Sequence, residues 1–135
     1  KSAAVPNVAE VPGVRNWMKQ TQRACLQFGN LVMEGRDIGT NVFPESDFKF
    51  YLDASLDERS RRRAADGVEE NLAARDQHDS QRAAAPLMIP LGAMIIDNSG
   101  QTPEQTSQLI VDEIQRRLRE RAAREAVAKQ KPRWD

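Results

Sequence analysis

The chain has little of what most small-domain chemistries draw on. One cysteine, Cys25, and one histidine, His78, stand among its 135 residues. A lone cysteine excludes an internal disulfide framework and fits a reducing compartment. His78 has no cysteine or second histidine at ligand spacing, so no metal site is expected. Long apolar runs are absent: the longest uncharged stretch, Ala83 to Ile96, is too short to span a bilayer and is interrupted by Pro86, Pro90 and Gly92. Net charge is zero, with 20 Lys and Arg against 20 Asp and Glu, so no global field draws the chain to nucleic acid or to a membrane. No Gly-Lys dipeptide occurs, which excludes a GxxxxGK[ST] phosphate loop within these residues. The chain opens on Lys1 with neither Met nor a signal-peptide pattern, so it is expected to be a portion of something longer.

What is present suits about one domain of chain. Hydrophobic residues make up 39% and charged residues 30%, polar for a globular domain but apolar enough to fold. Charge is blocked along the chain. Lys1 to Asn30 carries four basic residues and one acid, and Leu31 to Ser60 three basic residues and seven acids. Leu91 to Gln115 carries four acids and no base, and Arg116 to Asp135 eight basic residues and three acids. Such blocks suggest local sites and a solvated tail rather than one basic surface.

Pro12 to about Phe28 reads as a helix, with Val11, Val14, Met18, Gln22 and Cys25 at three-to-four spacing and Gly29 as its stop. Cys25 is expected to pack in that stripe, and Trp17 to be partial core. Leu31-Val32-Met33 has the signature of a buried strand, followed by the polar loop Glu34 to Thr40. Phe48 to Leu52 and Ala93 to Asp97 read as two further strands. Ser55-Leu56-Asp57-Glu58 is a capping box that opens a helix, which Gly67 interrupts; Val68 to about His78 resumes it. Pro86 to Gly92 reads as loop. Thr102-Pro103-Glu104-Gln105 is a second capping box, and its helix carries Leu109, Ile110, Ile114 and Leu118 on one face before a frayed, charged end. Apolar runs alternating with amphipathic helices imply an α/β layer fold with a largely parallel sheet. Ligands of such sheets lie beyond the carboxyl ends of the strands, which puts Glu34 to Thr40 and Asp53 to Ser55 at the site edge.

Three groups of residues could carry chemistry. In Glu34-Gly35-Arg36-Asp37-Ile38-Gly39-Thr40, glycines bracket an Arg-Asp pair. Arginine offers a fork for phosphate and aspartate accepts from an amine or hydroxyl; an ordinary Gly-flanked turn with an ion pair fits equally well. Arg75, Asp79 and Arg82 share one helix face, suited to a sugar phosphate or to plain salt bridging. Arg59, Arg61, Arg62 and Arg63 form either a clamp on polyphosphate or a solvated helix face.

The strings LVMEGRDIGTNVFP, KFYLDAS, DERSRRR, RDQHDSQRAAAPL and AMIIDNSG follow in one order, after VPGVRNWMKQTQR. In that order they resemble bacterial cytidylate kinase, of the nucleoside monophosphate kinase family, over roughly Val8 to Leu118. The resemblance implies an α/β, three-layer P-loop kinase core with a parallel sheet, incomplete here because the P-loop strand is absent. Residues 1–118 would be the later portion of the core, with lid and flanking helices at 59–82, and 119–135 a charged helical tail. It implies phosphoryl transfer from ATP to CMP or dCMP with Mg2+, in a cytoplasmic monomer without membrane or nucleic-acid partners. Arg15 and Asp37 would read cytosine, Arg36 and Arg82 hold the monophosphate and serve catalysis, Arg75 and Asp79 contact the sugar, and Arg59, Arg62 and Arg63 begin the lid over ATP.

The sequence departs from the family at three places. The P-loop is absent; the stretch from Arg63 to Arg75 is short for the family's lid; and Pro6 and His78 stand where a base-contacting serine and an arginine are common. The isolated chain is therefore expected neither to turn over nor to fold cooperatively. Two other readings stay open: a P-loop kinase for UMP, AMP or a non-nucleotide acceptor, and a non-catalytic module whose basic tail, Arg116 to Arg133, contacts nucleic acid or a partner.

Overall fold

The structure, a computed structural model, describes residue 8 and residues 10–67, 71–81 and 87–130. The chain divides into two units, Lys1–Ser99 and Gly100–Asp135.

In the first unit, helix α1 spans Pro12–Ala24, with proline at its start where a missing N–H costs nothing. The helix then tightens into a 3₁₀ turn, Cys25–Phe28, and Gly29 ends it at φ 103, in a region side chains avoid. Cys25 therefore sits past the α-helix, where its thiol donates to the Thr21 carbonyl. Trp17 is 62% exposed and is not core, contrary to the sequence expectation.

The segment Leu31-Val32-Met33 is not a strand, and Val32 is 99% exposed. A strand needs a partner for its backbone N–H and C=O groups, and no described strand pairs with this one. The loop after it winds into one π-helical turn, Ile38–Val42, which buries Val42.

The described sheet has two strands, β1 (Phe50–Asp53) and β2 (Met94–Asp97), paired in parallel from Phe50 with Met94 to Asp53 with Asp97. Parallel pairing is what the alternating pattern predicts. β1 starts two residues later than expected because the Ser46 hydroxyl takes the Phe48 N–H. Between the strands run α2 (Leu56–Ala65) and α3 (Leu72–Ser80), separated by a turn with Gly67 at φ 70. Ser55 caps α2 through the Glu58 N–H at 3.2 Å. The reciprocal half of that box does not form, because the Glu58 carboxylate is taken by Arg61 and Arg62. Asn71 caps α3, which opens at Leu72; the expected helix start near Val68 falls at 68–70, outside the described residues. Among the described residues, the buried apolar side chains of this unit are Val42, Ala54, Leu72 and Ile96.

The described residues of the second unit form one helix, α4 (Pro103–Gln130). Its capping box closes both ways: the Gln105 N–H donates to the Thr102 hydroxyl at 3.2 Å, and the Thr102 N–H donates to the Gln105 side-chain oxygen Oε1 at 2.9 Å. Among the described residues the helix runs on regularly from Leu118 to Gln130, where fraying was expected, and 131–135 lie outside them. Glu113 binds Arg116 and Arg117, Arg116 binds Glu120, and Arg121 binds Glu125, all at helical spacing.

Candidate functional site

The loop after Glu34 sends two adjacent side chains into two different networks. Asp37 pairs with Arg15 of α1, and its Oδ2 also accepts from the Asn41 amide at 3.3 Å. Lys19, one turn along α1, reaches Asn41 Oδ1 at 3.5 Å. Both acceptor contacts of Asp37 fall on Oδ2, so Oδ1 remains to accept a donor among the described residues. Arg23 fixes α1 to this loop by donating to the Val42 carbonyl at 2.6 Å, stacking over Phe43 and pairing with Glu45.

Arg36 turns the other way, to α3. Its Nη2 donates to Asp76 Oδ1 at 2.5 Å, and its Nε lies against Asp79 Oδ2 as an ion pair without hydrogen-bond alignment. Asp79 is 2% exposed, and such burial of a carboxylate requires this kind of pairing. Arg75 approaches Asp79 at 4.0 Å from one turn away. Arg59, in the first turn of α2, donates Nε to the Ala54 carbonyl at 3.1 Å and Nη1 to Asp76 Oδ2 at 2.5 Å. Partial burial pushes the Asp76 pKa up, but the hydrogen bonds from Arg36 and Arg59 outweigh it and hold it below the ordinary carboxyl value.

Arg62 donates to Asn98, just past the end of β2, at 3.0 Å to the amide oxygen and 2.8 Å to the backbone carbonyl. Arg63 is half-buried on the same helix, and Arg61 lies exposed against Glu58. His78 Nε2 is 3.1 Å from Glu10, while its Nδ1 stands 3.9 Å from Asp79, beyond hydrogen-bond reach. Arg82 and Pro6 lie outside the described residues.

The structure thus brings Arg15 to Asp37, and Arg36, Arg59, Arg75 and Asp79 to one charge cluster. Arg62 is engaged separately. Sequence reasoning missed two residues. Asp76, which joins Arg36 to Arg59, stands three positions before Asp79, so its spacing placed it on the same helical side. Asn41, which steadies Asp37, had no signal beyond its place two residues after Gly39.

The family model described as cytidylate kinase covers residues 2–117. The chain belongs to the cytidylate kinase family. Cytidylate kinase of Caldanaerobacter subterraneus subsp. tengcongensis is 40% identical over 126 residues, covering 85% of this chain and 56% of that protein. Cytidylate kinase of Chlamydia caviae is 40% identical over 117 residues, covering 80% of this chain and 54% of that protein. The bifunctional pantoate ligase/cytidylate kinase of Acaryochloris marina is 41% identical over 133 residues, covering 90% of this chain and 25% of that protein. The chain therefore spans about half the length of the cytidylate kinases it matches. Membership implies the P-loop kinase fold, of which the parallel β1–β2 pair and its flanking helices are part.

Proposed function

We propose that this chain forms the monophosphate side of an enzyme that transfers the γ-phosphoryl group of ATP to CMP or dCMP. The observation that carries the reading is the divergence of Arg36 and Asp37. One joins a cluster of three arginines, and its neighbour faces Arg15 with a carboxylate oxygen to spare. In this reading Asp37 Oδ1 accepts the cytosine amino group and Arg15 orients that carboxylate. Arg36 and Arg82 hold the 5′-phosphate, and Arg75 and Asp79 hold the sugar. Arg59, Arg62 and Arg63 lie toward ATP as the base of the lid.

A 5′-phosphate oxygen attacks the γ-phosphorus in line, the bond to the bridging oxygen breaks, and ADP leaves without a covalent intermediate. The arginines supply position and charge neutralisation, and lid closure excludes water. Mg2+ supplies charge neutralisation at the ATP phosphates when bound. The described residues do not fit it: they contain no cluster of carboxylates, histidine or cysteine able to hold a metal ion. No step on this chain runs through the ion. A triphosphate also needs a phosphate loop, which these residues lack, so another segment must supply it and the isolated chain is inactive. The exposed apolar residues Phe28, Val32, Leu52 and Ile95 support a fold completed by further contacts. A monomeric, cytoplasmic enzyme goes with this reading.

Calorimetric titration of the full-length protein with CMP, dCMP, UMP and AMP tests it. The two cytosine nucleotides should bind at least about tenfold more tightly than the others, the size of one good base contact. Equal affinity for UMP or AMP would favour a different acceptor.

A further inference from the structure

The Asp76 carboxylate has a role that the arrangement above leaves open. Its two oxygens are each claimed by an arginine from a different part of the chain: Oδ1 by Arg36, from the loop after Glu34, and Oδ2 by Arg59, from α2, both at 2.5 Å. One anion between two guanidinium groups is also how a phosphate would sit there. Asp76 is a quarter exposed, unlike the buried Asp79, so it can give up its partners to solvent or to a ligand. Arg36 would not be orphaned by that loss, because its Nε remains against Asp79.

We propose that Asp76 is an internal counter-anion that occupies the phosphate-binding donor of Arg36, and ties it to Arg59 of the ATP-facing lid, until the 5′-phosphate of the nucleotide displaces it from Arg36. It is thereby an affinity-determining residue for the acceptor phosphate. The proposal rests on the CMP reading above. A dianionic phosphate entering beside Asp76 meets a like charge and must take donors already in use. Both effects lower the affinity for the phosphate and leave the affinity for the nucleoside unaltered. Neutralising Asp76 therefore strengthens CMP binding, whereas a residue that merely holds the site together would weaken it when changed.

The test is the ratio of CMP affinity to cytidine affinity, measured by calorimetry on the full-length protein. Asp76→Asn and Asp76→Ser should each raise the ratio by about fivefold, the upper range for one partly exposed charge contact. Asp76→Glu, which keeps the charge, should stay within about twofold of the unaltered protein. An unchanged or lowered ratio in the neutral variants overturns the proposal. So does loss of cytidine binding in both, which would make Asp76 a structural support. If the unaltered protein binds cytidine and CMP equally, the CMP-phosphate reading itself fails and this proposal with it. Normal CMP preference with an unmoved ratio in the variants sinks this proposal alone.

Discussion

Arg15 pairs with Asp37 across 22 positions of chain, joining α1 to the loop that carries Arg36. Both contacts that described residues make to Asp37 use one carboxylate oxygen, which leaves the other to accept a donor. Asp37→Asn puts an amide where that acceptor is needed. In the full-length protein it should weaken CMP binding by about 1–3 kcal/mol, roughly 5- to 150-fold, and UMP binding far less. Paired titrations with CMP and UMP measure this, and an equal loss for both would show that Asp37 does not read the base.

Gly39 lies in the turn that buries Val42, and the loop at Pro90 closes over it. A Cβ at Gly39 would stand 2.8 Å from Pro90 Cγ and 3.3 Å from Lys49 Cδ. The proline ring cannot swing aside, so Gly39→Ala should cost about 1–3 kcal/mol of stability by overpacking. Gly13→Ala is the control: no atom lies within 4 Å of its Cβ position, and it sits in α1. It should leave stability unchanged or raise it by about 0.5–1 kcal/mol. Urea denaturation of the full-length variants compares the two.

The reciprocal box at the start of α4 satisfies two backbone donors at once. Thr102→Ala removes the hydroxyl acceptor and should cost about 1 kcal/mol of helix stability. Circular dichroism of a peptide covering residues 100–130 reads this directly, because helix formation in the peptide depends on such local terms.

The same peptide should respond to acid. Hydrogen bonds from Arg116 and then Arg117 lower the Glu113 pKa from its ordinary value of 4.5 to about 2. A depressed pKa in the folded state means the stabilisation is fully present above 4.5 and is lost as pH falls through about 2. Helicity should drop across that window, less steeply in Glu113→Gln and less steeply in high salt, which screens exposed pairs. A flat profile in the unaltered peptide would contradict the pairing.

Much of the local structure was legible because its causes are local. Pro12, Gly29, the Thr102 box and the charge spacing of α4 act within a turn or two of chain. The parallel strand pair was legible from two apolar runs separated by helices, although the Ser46 side chain shifted the start of β1. Leu31 to Met33 was misread because an apolar run signals a strand only if something pairs with it. Trp17 was misread because helical spacing shows which residues share a face, not whether a neighbour covers that face. In the candidate site, Arg36, Asp37, Arg75 and Asp79 stood out through family strings and helical spacing. Asp76 did not, because its importance comes from Arg59, which lies 17 positions away and meets it only in the folded chain.

Turnover is the most direct test of the central claim. ADP release by the full-length protein should be measured with ATP and, in turn, CMP, dCMP, UMP and AMP, with the isolated 135-residue chain assayed beside it. The account predicts kcat/KM for CMP or dCMP at least about tenfold above that for UMP and AMP, and no turnover by the isolated chain. Comparable kcat/KM for UMP or AMP, or CMP phosphorylation by the isolated chain, would contradict it.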